Sequence, residues 1–257
     1  MDHTTVHVTA RPRQTAESYN YHVGLHPTQS TAAAAAEIVP ILCETLRPRA
    51  VVDFGCGLGD WLRAFSDRGV EDVYGLDGNW VPVEKLAIPR ERFQVVNFTS
   101  EIRLNRRFDL ALCLEVAEHF GDEYADKLVD ALTRCADSIC FSAAVPGQGG
   151  YGHVNEQFQD YWVAKFKSRG YRPVDLVRPK IWNNPRVSFW YRQNLLLFLK
   201  DSELQRTGLH ETPAIISCVH PDLYNSRRDP RNQSLKTVLK LLPFYLLRAF
   251  KARVRIG

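Results

Sequence analysis

The stretch Val51-Val52-Asp53-Phe54-Gly55-Cys56-Gly57-Leu58-Gly59-Asp60-Trp61 constrains this chain more than any other. The apolar run Ala50-Val51-Val52 reads as a buried parallel strand. It leads into an acid and then into glycines at 55, 57 and 59. Lacking a Cβ, these let the backbone turn sharply and come close to a ligand. The helical pattern that begins near Asp60 offers its free N–H groups to the same place. A second apolar run, Val73-Tyr74-Gly75-Leu76-Asp77, ends in a carboxylate 22 residues after Gly55. An acid at that distance, on the tip of the next strand, can accept hydrogen bonds from ribose hydroxyls. Loop and acid together point to an adenosine-type ligand. The plainer alternative is a glycine-rich strand-to-helix turn with no ligand.

The spacing narrows the ligand. Asp-x-Gly-x-Gly-x-Gly is not the Gly-x-Gly-x-x-Gly that cradles a pyrophosphate, and no Gly-Lys-Ser/Thr of a P-loop is present. The segment resembles motif I of the class I S-adenosyl-L-methionine-dependent methyltransferases. The resemblance spans roughly residues 30–200 and is carried by specific motifs through about residue 120. It implies that Asp53, Gly55, Cys56 and Gly57 face the methionine portion of S-adenosyl-L-methionine, and that Asp77, with Gly78 beside it, holds the ribose. It places Asn97 beside the adenine amino group, with Phe98 as a flat apolar surface. Phe108–Leu114 then reads as a strand running into Glu115-Val116-Ala117-Glu118-His119, similar to small-molecule methyltransferases of the ubiquinone-biosynthesis type. Ligands of open α/β sheets bind beyond the carboxyl ends of the strands. Leu114, Glu115 and His119 therefore point toward cofactor and acceptor, although a histidine there also suits a merely structural loop.

Strand and helix patterns alternate along the chain, which argues for an α/β, doubly wound, Rossmann-like sheet. The expected elements include a helix from about Ser30, its N-cap, to Leu46, and others near 61–68, 122–136 and 157–169. Strands are expected near 50–52, 73–77, 93–96, 108–114, 138–144, 172–177 and 195–200. The family resemblance implies seven strands with the last one antiparallel, and an N-terminal cover helix over the cofactor. His22, Gln29 and Ser30 are candidates for lining that cover.

The acceptor side is read from Val145-Pro146-Gly147-Gln148-Gly149-Gly150-Tyr151-Gly152-His153-Val154-Asn155-Glu156-Gln157. A glycine-rich loop at the mouth of the sheet is followed by a dense polar cluster, and loops on rigid scaffolds carry function. His153 is the expected general base, since an imidazole can take a proton from an acceptor hydroxyl near neutral pH. Glu156 is placed to orient it; Tyr151 and Asn155 are placed to bind acceptor. The competing reading makes Asn155 the N-cap of the following helix. Gly152–Gln157 is also similar to segments of bacterial methyltransferases acting on glycans and secondary metabolites. Between the last two strands, Trp182, Arg186 and Tyr191 belong to an aromatic, arginine and amide mixture that suits a sugar ring or simple packing. Glu115, Glu118 and His119 have the donor types of a metal site, but transfer to a hydroxyl can run on a base alone, so no metal is expected.

Charge divides the chain. Residues 227–257 carry nine Lys/Arg and one Asp, a net of +8, and the remainder a net of −4. Six scattered cysteines without a Cys-x-x-Cys read as reduced thiols of a cytoplasmic protein. No signal peptide or spanning segment is expected. Three regions are anticipated: a lead-in over 1–29, the catalytic domain over 30–200, and an extension over 201–257. Within the extension, Ser234–Arg255 is a basic amphipathic segment that Pro243 should break or kink. It could pack on the domain or a second subunit, lie on the cytoplasmic face of an anionic membrane, or bind nucleic acid. Nucleic acid ranks last, because the basic charge is confined to the tail and no Asn/Asp-Pro-Pro-Tyr/Phe motif is present. The expected activity is O-methylation of a sugar, glycan, glycolipid or glycosylated metabolite. Alternatives are O- or N-methylation of another small molecule, and cofactor binding without catalysis.

Overall fold

The structure, a computed structural model, describes residues 31–214, 217–229 and 235–254. His22, Gln29 and the expected cap at Ser30 lie outside the described residues. In chain order, the first half contains α1 (Thr31–Leu46), β1 (Ala50–Phe54), α2 (Asp60–Ser66), β2 (Asp72–Asp77), β3 (Phe93–Val95), β4 (Leu110–Leu114) and α3 (Asp122–Cys135). The second half contains β5 (Ser138–Ser142), α4 (Gln159–Lys167), β6 (Arg172–Val174), α5 (Arg178–Ile181), α6 (Phe189–Asn194), β7 (Leu196–Leu199), α7 (Asp201–Thr207), α8 (Pro221–Arg228) and α9 (Leu235–Val254).

The strands form one seven-stranded sheet in the order β3-β2-β1-β4-β5-β7-β6. β1, β2, β3, β4 and β5 run parallel, and β7 is antiparallel to both its neighbours. Every residue of β4, β5 and β7 is buried, as expected of strands covered on both faces. The edge strands β3 and β6 are only three residues long, which limits the unpaired backbone they present. One face of the sheet is covered by α1 and α2 through Ile38, Leu42, Leu62 and Phe65. The other is covered by α3 and α4, where Phe166 stacks on Phe198 with ring centroids 4.0 Å apart.

Local sequence explains the helices that frame the site. In α3, Ala125, Leu128, Val129, Leu132 and Cys135 recur at helical spacing and are buried, with Asp122 and Glu123 in the first turn where the helix dipole favours them. α1 ends where Arg47 turns left-handed, at φ 49°, just before Pro48. The order of strands reverses between β1 and β4, whose carboxyl ends lie side by side. Such a switch point is where open α/β sheets hold ligands.

One expectation changes. Pro243 does not end the tail helix, which continues from Leu235 to Val254. The segment between β6 and β7 forms α5 and α6. The chain divides into two compact units, one through Ser217 and one from Cys218. The first unit therefore includes α7, whose Glu203 accepts a hydrogen bond from Ser138 at the start of β5. Cys56, Cys113, Cys135 and Cys140 are buried free thiols. Among the described residues, no helix is long and apolar enough to cross a membrane.

Candidate active site

At the end of β1 the chain turns through Gly55 at φ 83°, a conformation that disfavours any side chain. A Cβ there would also lie 2.4 Å from Cγ2 of Val116, so the loop after β4 packs directly on the glycine backbone. The loop is then tied to β2 by one carboxylate. Gly57 N–H donates to Asp77 Oδ2 at 2.7 Å, and Gly78 N–H donates to Oδ1 at 2.6 Å. Asp53 is almost fully buried, and its Oδ2 has no hydrogen-bond partner. Burial, and then the nearby Asp77, push the Asp53 carboxyl up to about 8. Burial pushes Asp77 up to about 6, opposed by the Gly78 and Gly57 N–H groups.

These residues line one cleft at the switch point. Asp53, Gly55, Cys56, Gly57, Asp77, Phe98, Leu114, Glu115 and His119 are all in its walls, as read from the sequence. Gly78 takes part through its bond to Asp77. Tyr191, expected among acceptor contacts, instead stands in the same cleft, edge-on to Trp61 with centroids 5.3 Å apart. Thr31, Trp61, Trp80 and Phe120 also line it and were not anticipated. Trp61 and Trp80 directly follow the two acid-bearing turns, and that adjacency was the available signal. The lining contains Asp53, Asp60, Asp77 and Glu115 but no lysine or arginine. A cleft of buried carboxylates with an unpaired oxygen suits a cationic ligand.

Beyond β4, Glu115 adopts a left-handed φ of 57° and is held on every side. Its N–H donates to the Ser142 carbonyl at 2.9 Å. Its carboxylate accepts from Gln148 Nε2 at 2.7 Å and from Asn194 Nδ2 at 3.1 Å. Gln148 Oε1 in turn accepts from Gln193 and Asn194, both at 2.9 Å. This buried amide network joins the glycine-rich loop to α6. No sequence pattern pointed to Gln148, Gln193 or Asn194, because their partners lie 33 to 79 residues away.

His153 stands behind His119, the two rings edge-on with centroids 4.9 Å apart. Glu156 fixes it: Oε1 lies 3.0 Å from Nδ1 and also accepts from Gly149 N–H at 2.7 Å, while Oε2 accepts from Gly147 N–H at 2.8 Å. A carboxylate only accepts, so Nδ1 carries the proton and Nε2 keeps a free lone pair. A Cβ at Gly150 would lie 2.3 Å from Nε2, so the glycine backbone packs directly against that side of the ring. Glu118 is fully buried, neither of its carboxylate oxygens has a hydrogen-bond partner, and one lies 3.9 Å from His153 Nε2. Burial, then the charge of Glu115, push its carboxyl well up. His119 is lowered to about 4 by burial and by His153. One ligand atom each from Glu118, His119 and His153 lie within 4.8 Å of one another, close enough to hold a divalent cation. The donor set anticipated from sequence changes by one member, His153 replacing Glu115, whose oxygens are taken by amides.

Several candidates sit elsewhere. Asn155 does not cap α4, because the cap position is Phe158. The preceding residues are held extended, Asn155 N–H bonding to Glu118 O and Gln157 N–H to Ala144 O, so the helix starts at Gln159. The Asn155 side chain is buried and accepts from Gln157. Asn97 is exposed and its Oδ1 is taken by Thr99, outside the cleft lining. Trp182 and Arg186 are also outside it, because Glu37 of α1 accepts from Asn184 at 2.8 Å and pairs with Arg186 at 3.2 Å, drawing that segment to the helix. Tyr151 is 65% exposed on the rim loop.

The two raised carboxyls make stability pH-dependent. Folded Asp53 and Asp77 keep protons that the unfolded chain releases, so their contribution is full below about pH 4 and is lost as pH rises toward about 8. Asp53→Asn should therefore melt progressively higher than the wild type as pH is raised from about 5 to about 8. A constant difference in Tm across that range would show that Asp53 is ionised in the ligand-free fold.

A family model described as a methyltransferase domain matches residues 28–176. The fold is similar to DesVI of Streptomyces venezuelae, with 15% identity, coverage of 66% of this chain and 91% of that one, and a TM-score of 0.51. It is similar also to magnesium protoporphyrin IX methyltransferase (ChlM) of Synechocystis PCC 6803 with bound SAH, with 17% identity, coverage of 66% and 81%, and a TM-score of 0.51. No curated protein matches the sequence.

Proposed function

Since the chain belongs to the methyltransferase domain family, we propose that it transfers the methyl group of S-adenosylmethionine to a hydroxyl of a sugar-containing acceptor. The observation that carries the hydroxyl reading is His153, held through Nδ1 by Glu156 and edge-on to His119 of the cleft wall. The cofactor fits the cleft: its walls carry Asp53, Asp77 and Glu115 with no lysine or arginine, and the unpartnered Asp53 oxygen suits a positively charged group. Asp77 would hold the ribose, and Phe98 and Trp80 would flank the base. When bound, S-adenosylmethionine supplies an electrophilic methyl.

The chain's own part is to position and deprotonate the acceptor. Glu156 keeps the proton on Nδ1, so Nε2 takes the hydroxyl proton as the oxygen attacks. The amide network through Gln148 sets the height of the glycine-rich loop over this point. Exposed Tyr151, with Phe158 and Val154 nearby in sequence, offers flat apolar surface on which a sugar ring can rest, and the polar loop around it offers hydrogen bonds.

A second reading has its own observation. The Glu118, His119 and His153 cluster would make His153 a ligand to a cation that lowers the acceptor's pKa directly.

The acceptor class is tested by incubating the full chain with S-adenosylmethionine and a panel of free sugars, nucleotide sugars, glycosides and amines. Methyl incorporation is followed by mass, and its position by NMR. O-methylated sugar products are the expected result. Transfer confined to amines, or to aglycones with every sugar untouched, would overturn the proposal.

A further inference from the structure

Helix α9 differs from every helix of the first unit in how its apolar residues are placed. Among its described side chains, all the apolar ones from Leu235 to Leu247 are at least 38% exposed, and Leu235 reaches 73%. In α3, by contrast, the apolar face is buried. A 20-residue helix with this much uncovered apolar surface is built to meet something else.

The pattern says what. At about 100° per residue, positions 236, 240, 248 and 251, all lysine or arginine, fall within an arc of about 120°. Positions 235, 238, 239, 242, 245 and 246 fill an arc of similar width directly opposite, and all are Leu, Val or Tyr. Phe244, Leu247 and Val254 interrupt the basic arc, and Arg253 the apolar one. Residues 234–257 carry six Lys/Arg and no Asp or Glu.

We propose that α9 lies in the plane of an anionic lipid surface, its apolar arc at the headgroup boundary and its basic arc against lipid phosphates. This occupant accounts for both faces at once. A second copy of the helix would cover the apolar arc but brings no acid to the bases. Nucleic acid would take the bases and leave the leucines in water. Long enough at 20 residues, the helix is not apolar enough to cross the bilayer. Tyr245, 58% exposed, has the amphipathic ring favoured at a membrane interface. The inference is independent of the acceptor assigned above.

The test uses the full chain with vesicles of phosphatidylcholine alone or mixed with phosphatidylglycerol, read by flotation. Binding should be at least about tenfold tighter to the anionic vesicles and should weaken as salt is raised. The double variant L242E/L246E should abolish it while S-adenosylmethionine affinity stays unchanged, which shows that the body is folded. Equal binding of that variant, or no binding to anionic vesicles, overturns the proposal. A dimer by light scattering that L242E/L246E dissociates, or salt-sensitive RNA binding that survives it, would in the absence of vesicle binding reassign the helix to those partners.

Discussion

Asp77→Ala should weaken S-adenosylmethionine binding by about 100-fold or more. Hydrogen bonds to an ionised group contribute roughly 1.5–3 kcal/mol each. Two ribose hydroxyls on one carboxylate therefore correspond to about 3–6 kcal/mol, at about 1.4 kcal/mol per tenfold in affinity. The variant also releases the Gly57 and Gly78 N–H groups, so the glycine loop loses its tie to β2 as well as the ligand its clamp. Asp77→Asn keeps an acceptor oxygen without the charge and should fall between the two. Calorimetric titration decides, with circular dichroism to confirm folding. A change of less than about fivefold in Asp77→Ala would remove the ribose assignment.

His153→Ala should lower kcat by roughly 100- to 10,000-fold, the range of general-base catalysis, with cofactor affinity changed little. If Nε2 takes the proton, a chelator leaves the wild type active. If the Glu118, His119 and His153 cluster holds a cation, chelation abolishes wild-type turnover, and manganese or magnesium restores it. A kcat within a few fold of wild type, in a chelator-insensitive enzyme, would make His153 a structural residue. Glu156→Gln sharpens the reading. It keeps an oxygen for Nδ1 but weakens the hold on Gly147 and Gly149, so its loss should be smaller than that of His153→Ala.

The cofactor side of this site was legible because its signals are local. Asp53, Gly55 and Gly57 are nearly contiguous, and Asp77 follows at a spacing set by one helix and one strand. The sheet, too, followed from apolar runs separated by helical patterns, with the reversed β7 supplied by family likeness. The acceptor side was legible only in part. His153 and Glu156 stand out because they share one short loop, three residues apart. Trp182 and Arg186 looked like ring-binding residues by composition, but Glu37, more than 140 residues earlier, decides where that segment lies. Asn155 had the residue type of a cap, yet two backbone bonds to Glu118 and Ala144 moved the helix start away from it. Interactions made across the fold leave no spacing to read.

Glu115 shows how such long-range contacts shape selectivity. Both of its oxygens already accept an amide, from Gln148 and from Asn194. Each carboxylate oxygen has two lone pairs, so a donor arriving on a ligand can still be accepted beside the amide already there. The amides fix the direction of the remaining lone pairs, and a donor that meets them gains about 1.5–3 kcal/mol, the range for a bond to a charged group. A ligand that pushes an amide aside without offering a donor leaves a carboxylate short of a partner, which costs affinity. Glu115 therefore acts as a directional acceptor: it rewards a donor aimed along the lone pairs its amides leave open and penalises a molecule that crowds the network without completing it.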